Sequence, residues 1–183
     1  MRIILSVLCI SIFLPCMAMT NMEFYREDLN FSLTKDYFTV DGYYYFRNLT
    51  DKEINILLAY PFPSDSLMGA VDSVFALDHS GNSIMVQTNQ KFMNFRVNIA
   101  PHDSTVCRIG YMQEVRDHYA KYILLTTRAW GKPFTQVHYQ LITKAKKITC
   151  SYPPDHQDKR GKLYYYQWHM TNFMPDKDFI IKY

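Results

Sequence analysis

The residues that could do chemistry in this 183-residue chain are its six histidines, four cysteines and a scatter of carboxylates. His79, His102, His118, His138, His156 and His169 include no His-x-x-x-His pair, and no Cys-x-x-Cys accompanies them. Zinc therefore has no local signature. His102-Asp103-Ser104 spells the letters of a hydrolytic triad, but adjacent residues cannot aim three side chains at one reacting atom. The segment follows Pro101 and reads as a turn. Asp155 with Asp158, and Asp176 with Asp178, invite a calcium or glycosidase reading. The Asp-x-Asp-x-Asp-Gly loop is absent, and both pairs read as solvated turn residues. Cys107 could serve as a nucleophile with a distant histidine, but its apolar neighbours suit a core or disulfide role better. No catalytic residue, metal or cofactor is expected.

Compartment follows from the first residues. Arg2 precedes the apolar run from Ile3 to Phe13, and Leu14-Pro15-Cys16-Met17-Ala18 offers small side chains before a cut after Ala18. That is the grammar of a secretory signal, with residues 19–183 left as one domain. A lipid anchor on Cys16 is the rival export route, disfavoured by Pro15 and by bulky Phe13. Export leaves Cys107 and Cys150, each sharing a strand face with apolar residues, so one core disulfide is expected. The formal charge of +3 is too small and too dispersed for nucleic acid. Lys144, Lys146 and Lys147 read as a solvated turn. No second apolar run is long enough for a transmembrane helix.

The elements that must position these residues are strands. From Tyr37 to Arg47, Phe38, Val40, Gly42, Tyr44 and Phe46 fall on one face. Residues 48–53 turn the chain, Ile54, Ile56, Leu58 and Tyr60 resume the period of two, and Pro61 and Pro63 end it. Leu29 to Leu33 reads as an edge strand. Val71, Ser73, Phe75 and Leu77 alternate before a hairpin turn at residues 78–82, and Ile84 and Val86 begin the return. Met93, Phe95, Val97 and Ile99 share a face, as do Val137, Tyr139 and Leu141. Lys121 to Trp130 reads as a strand buried on both sides, and residues 153–162 as a mobile loop. The sum is nine or ten short strands with no helical period: an all-β antiparallel sandwich.

The stretches FTVDGYYYFRN…AYPFP, IAPHDSTVCRIGY, YILLTTRAWGKP and MTNFMPDKD resemble secreted bacterial β-sandwich domains of unknown function. The resemblance implies a sandwich fold and an envelope location, and it carries no catalytic residues.

What remains is an aromatic excess of 16%, concentrated in Tyr43-Tyr44-Tyr45 and Tyr164-Tyr165-Tyr166-Gln167-Trp168. Strand alternation forbids all of these from being core if one sheet face is wet. On Leu163 to Thr171 the core face is expected to be Tyr164, Tyr166, Trp168 and Met170. The opposite face offers Tyr165, Gln167 and His169 as a binding surface, with Tyr43 and Tyr45 as an extension. The chain reads as an exported, non-catalytic module that binds an envelope protein. A glycan-binding module is the alternative, and a hydrolase with scattered residues the third reading.

Overall fold

The computed structural model describes residues 21–183. The signal segment, its cut after Ala18 and Cys16 lie outside the described residues. Among the described residues there are thirteen strands: β1 Met22–Leu33, β2 Tyr37–Asn48, β3 Ile54–Pro61, β4 Met68–Leu77, β5 Val86–Thr88, β6 Phe92–Ile99, β7 Ser104–Val115, β8 Tyr119–Tyr122, β9 Phe134–Thr143, β10 Thr149–Cys150, β11 His156–Arg160, β12 Leu163–Phe173 and β13 Phe179–Lys182. They form a seven-stranded sheet ordered β11-β12-β9-β1-β2-β7-β4 and two three-stranded sheets, β10-β13-β8 and β3-β6-β5. The fold is a single all-β sandwich-like domain.

Alternation builds the core. Phe38, Val40, Tyr44 and Phe46 of β2 are buried, as are Met93, Phe95, Val97 and Ile99 of β6 and Val137, Tyr139 and Leu141 of β9. Both small sheets pack against the same face of the large one. Phe179 of β13 lies 5.2 Å from Phe31, 5.5 Å from Tyr139 and 5.0 Å from Trp168, measured between ring centroids. Tyr60 of β3 lies 5.5 Å from Tyr44 and 5.9 Å from Tyr111. Burial of aromatic rings dominates such a core energetically.

Several expectations are corrected. The Leu29–Leu33 edge strand is the end of a twelve-residue strand at the centre of the sheet, antiparallel to β2 and parallel to β9. Its first half is hard to read because a bulge between Phe24 and Arg26 shifts the period, and Glu27 then occupies a core position. In β4, irregularities between Met68 and Ser73 interrupt the alternation expected of Val71, Ser73, Phe75 and Leu77. Ala76 is buried, and Phe75 is turned outward.

Lys121–Trp130 is not one strand. Only β8 pairs, with β13, and Leu125–Trp130 is a 3₁₀ helix ended by Gly131 at φ 72°. Asp178 turns the chain there, because its Oδ1 accepts from the backbone N–H of Leu124 and of Leu125, both at 3.0 Å. The 153–162 stretch is not a free loop either. His156–Arg160 pairs with β12 in a hairpin closed at Gly161, φ 61°. Its charges are those of a guarded sheet edge.

The expected disulfide is absent: Cys107 and Cys150 are both free. Cys107 sits on β7 beside Tyr44, whereas Cys150 on β10 lies close enough to Tyr166 of β12 to raise its pKa. β12 and β7 are four strand steps apart, or roughly 19 Å at sheet spacing, against the ~7 Å that a bridge tolerates. Burial pushes the two thiols up to about 11 and about 12. They are inert packing groups.

Beneath the sheet centre lies a polar network. Glu27 is fully buried. Tyr139 donates to its Oε1, and Tyr122 donates to its Oε2 at 3.2 Å. Tyr44 joins Tyr122 at 3.3 Å and Tyr60 at 2.7 Å. Burial raises the Glu27 carboxyl to about 7, although both tyrosine bonds pull the other way.

Candidate functional site

Directly paired residues share a sheet face, so the register shows what stands outward on the large sheet. One row runs His169, His138, Asp28, Tyr43, Arg108 across β12, β9, β1, β2 and β7. The next runs Gln167, Gln140, Asn30, Asp41, Gly110, Phe75. Of the five residues expected to bind, Tyr43, Tyr45, Gln167 and His169 line one shallow basin with Asp28, Asn30, His138 and Gln140. Tyr165 stands on the same face but outside the basin, with the Arg160 guanidinium 4.7 Å from its ring. Trp168 is buried on the opposite face, 1% exposed, and donates from Nε1 to the Tyr152 carbonyl at 2.9 Å.

Asp28 organises the basin. Its carboxylate accepts from Arg26 through Nη2 at 2.6 Å and Nε at 3.2 Å, and from the Tyr45 hydroxyl at 3.1 Å. His138 Nδ1 stands 3.3 Å away, and the other ring nitrogen meets Gln136 Nε2 at 2.7 Å. The rings of His138 and His169 lie 4.9 Å apart, nearly edge to face. Gln167 donates to Gln140 at 3.3 Å, and Gln140 to Asn30 at 3.4 Å.

A strip of stacked arginine and tyrosine continues from the basin. Arg26 lies 4.7 Å over the Tyr45 ring, and Arg47 5.1 Å over Tyr25. Arg108 lies 5.7 Å from both Tyr43 and Phe75. Each guanidinium also has a carboxylate: Asp28, Glu23 at 2.5 Å and Asp41 at 2.6 Å. Hydrogen bonding to Asp41 raises the Arg108 pKa further above its ordinary value. The cations are thus held in place rather than left swinging, at little electrostatic cost.

No family model matches the chain, and no curated protein matches it. Among solved structures it is similar to a "putative nutrient binding protein" from Legionella pneumophila, with TM-score 0.72 and 13% identity over 89% of this chain and 67% of that one. It is also similar to an M1 zinc metallopeptidase from Deinococcus radiodurans, with TM-score 0.55 and 10% identity over 88% of this chain. The chain spans only 42% of that peptidase. Likeness at such identities shows the fold alone.

Among the described residues no cluster of three or more His, Cys, Asp or Glu could hold a metal ion. His102 Nε2 meets Asp51 at 2.6 Å, while Asp103 bonds the Ser104 backbone N–H, so these three adjacent residues do not converge. Asp155 accepts from the His169 backbone and Asp158 from Arg160, which leaves the paired acids in structural roles. No helix among the described residues is long and apolar enough to cross a membrane. Sequence reasoning missed His138, Asp28 and Asn30, which face the basin from β9 and β1. The alternation of β9, with His138 and Gln140 opposite Val137, Tyr139 and Leu141, was the signal that could have found the first.

Proposed function

We propose that this chain is a non-catalytic binding module, exported to the cell envelope, whose outer large-sheet face docks a protein partner. One observation carries the reading: Tyr25, Tyr43 and Tyr45 alternate with Arg26, Arg47 and Arg108 on a rigid sheet, each arginine stacked and anchored. Tyrosine and arginine are enriched where binding energy concentrates in protein interfaces, and preorganised side chains lose little entropy on docking. Tyr43 and Phe75 are among the exposed large hydrophobic residues. The description of the Legionella protein as nutrient binding is compatible with binding in place of turnover.

A glycan reading is favoured by the amide ladder of Gln167, Gln140 and Asn30 beside two tyrosine rings. Planar hydrogen-bonding groups next to an aromatic face suit a sugar. Capture from envelope extract by the exported chain, compared with the Tyr43→Ala/Arg108→Ala double variant, separates the two. A protein retained by the wild type and lost by the double variant is expected, with hydrogen-exchange protection on β2, β9 and β12. Protection by oligosaccharides alone would transfer the site to glycans. Export is checked by intact mass: a soluble product beginning at Met19 is expected, and a lipid on Cys16 would overturn it.

A further inference from the structure

Over the middle of the large sheet the two smaller sheets leave a gap. A cavity of about 410 Å3 lies there between β3 and the 3₁₀ helix. Phe24, Phe46 and Ile109 form its floor from the large sheet, with Leu58 and Tyr60 on one side and Trp130 on the other. Protein interiors rarely hold voids much larger than a water molecule, and this size falls among ligand pockets.

The wall is apolar except for hydroxyls: Thr126 and Thr127 from the 3₁₀ helix, of which Thr127 donates to the Leu124 carbonyl at 2.6 Å, and three linked tyrosines. Tyr44, Tyr60 and Tyr122 all line the cavity. Tyr122 and Tyr139 donate to the Glu27 carboxylate. With Glu27 ionised and the Tyr122 proton so committed, Tyr122 accepts from Tyr44 at 3.3 Å, and Tyr44 in turn accepts from Tyr60 at 2.7 Å. In that state every hydroxyl proton of the chain of tyrosines points toward Glu27. Tyr60, at the far end, keeps an oxygen lone pair available to an incoming donor. Linked hydroxyls polarise one another in a low-dielectric setting, which strengthens that terminal acceptor.

We propose that this cavity binds a small, predominantly apolar molecule carrying one hydroxyl, whose proton Tyr60 accepts. The site is separate from the outer face, since its walls are the inner surfaces of the sheets. Apolar burial supplies most of the affinity, and the single hydrogen bond selects orientation and class. A purely hydrocarbon ligand would leave Tyr60 unmatched.

Titration with 2-naphthol and with 2-methoxynaphthalene, which has the same body and no donor, tests the assignment. Binding is read from the Trp130 indole N–H resonance and by calorimetry. 2-Naphthol should bind about tenfold more tightly than the ether, and Tyr60→Phe should erase the difference. Because that variant also removes a partner of Tyr44, Ala129→Trp supplies an independent check. Ala129 is an exposed residue of the cavity rim, so the substitution should block entry and weaken 2-naphthol at least about tenfold with Tm unchanged. No response to either compound, or an unaltered affinity in Ala129→Trp, overturns the site. Equal affinities for the two compounds in wild type overturn the role of Tyr60.

Discussion

Glu27→Gln should remove most of a pH dependence that this fold imposes on itself. The carboxyl sits between Tyr139 from β9 and Tyr122 from β8, with Tyr44 from β2 behind them and Asp28 next along its own strand. Burial, aided weakly by the Asp28 charge, moves it from an ordinary 4.5 to about 7. A carboxyl raised on folding binds its proton more tightly in the native state. Its stabilising contribution is therefore complete below pH 4.5, declines as the pH climbs, and is gone above about 7. That interval corresponds to about 3 kcal/mol at 1.36 kcal/mol per pH unit. Glutamine keeps the shape, accepts from Tyr139 and donates to Tyr122, but it does not titrate. Urea unfolding of both proteins from pH 4.5 to 8.5 gives the comparison. The wild type should lose about 3 kcal/mol relative to the variant across the range. Every group other than residue 27 is common to both proteins, so the difference isolates Glu27. Parallel profiles would refute the reasoning, and a wild type that gains relative to the variant would reverse its sign.

Trp168→Ala should cost about 3–5 kcal/mol in urea unfolding, as truncation of a buried ring does, whereas Tyr165→Ala should stay within about 1 kcal/mol. The opposite ranking would mean that the faces of β12 are inverted. Gly110→Ala should destabilise by about 1–3 kcal/mol, because a Cβ there would lie 2.3 Å from the Phe75 ring and 2.9 Å from the Val40 carbonyl oxygen. Phe75→Ala in the same background should recover part of that loss. Cys107 and Cys150 should both be alkylated only after denaturation, and dithiothreitol should leave Tm unchanged. A bridged peptide in a non-reducing digest would contradict the placement of β7 and β10.

The strands legible in the sequence were those in which one face is uninterrupted. β2 and β6 alternate without a break, as does β9 from Val137 onward, and burial follows that alternation residue by residue. The same regularity placed Trp168 inside and Gln167 with His169 outside. Where the backbone departs from period two, the reading failed. The bulge in β1 and the irregular start of β4 each displace the pattern. Composition misled at β11, whose polar residues look like a loop but whose backbone is satisfied by β12. The disulfide failed for another reason. Two apolar faces were recognised correctly, but nothing in the chain order reveals that five strands of one sheet span the distance between them.

Glu27 and Asp28 show why half of the site stayed hidden. As consecutive acids they resemble an exposed, solvated pair, yet successive residues of a strand point to opposite faces. Glu27 therefore enters the core and gathers Tyr122 and Tyr139, while Asp28 goes outward and gathers Arg26, Tyr45 and His138. A buried carboxylate surrounded by hydroxyl donors and a half-buried one beside a guanidinium are opposite solutions to the same desolvation problem. Both solutions depend on tyrosines brought in from other strands, so neither is visible in a local window. The central position of β1 follows from the same fact. Only a strand with neighbours on both sides can offer its two faces to partners from β2, β8 and β9 at once, which places the organising residues of the cavity and of the basin one peptide bond apart.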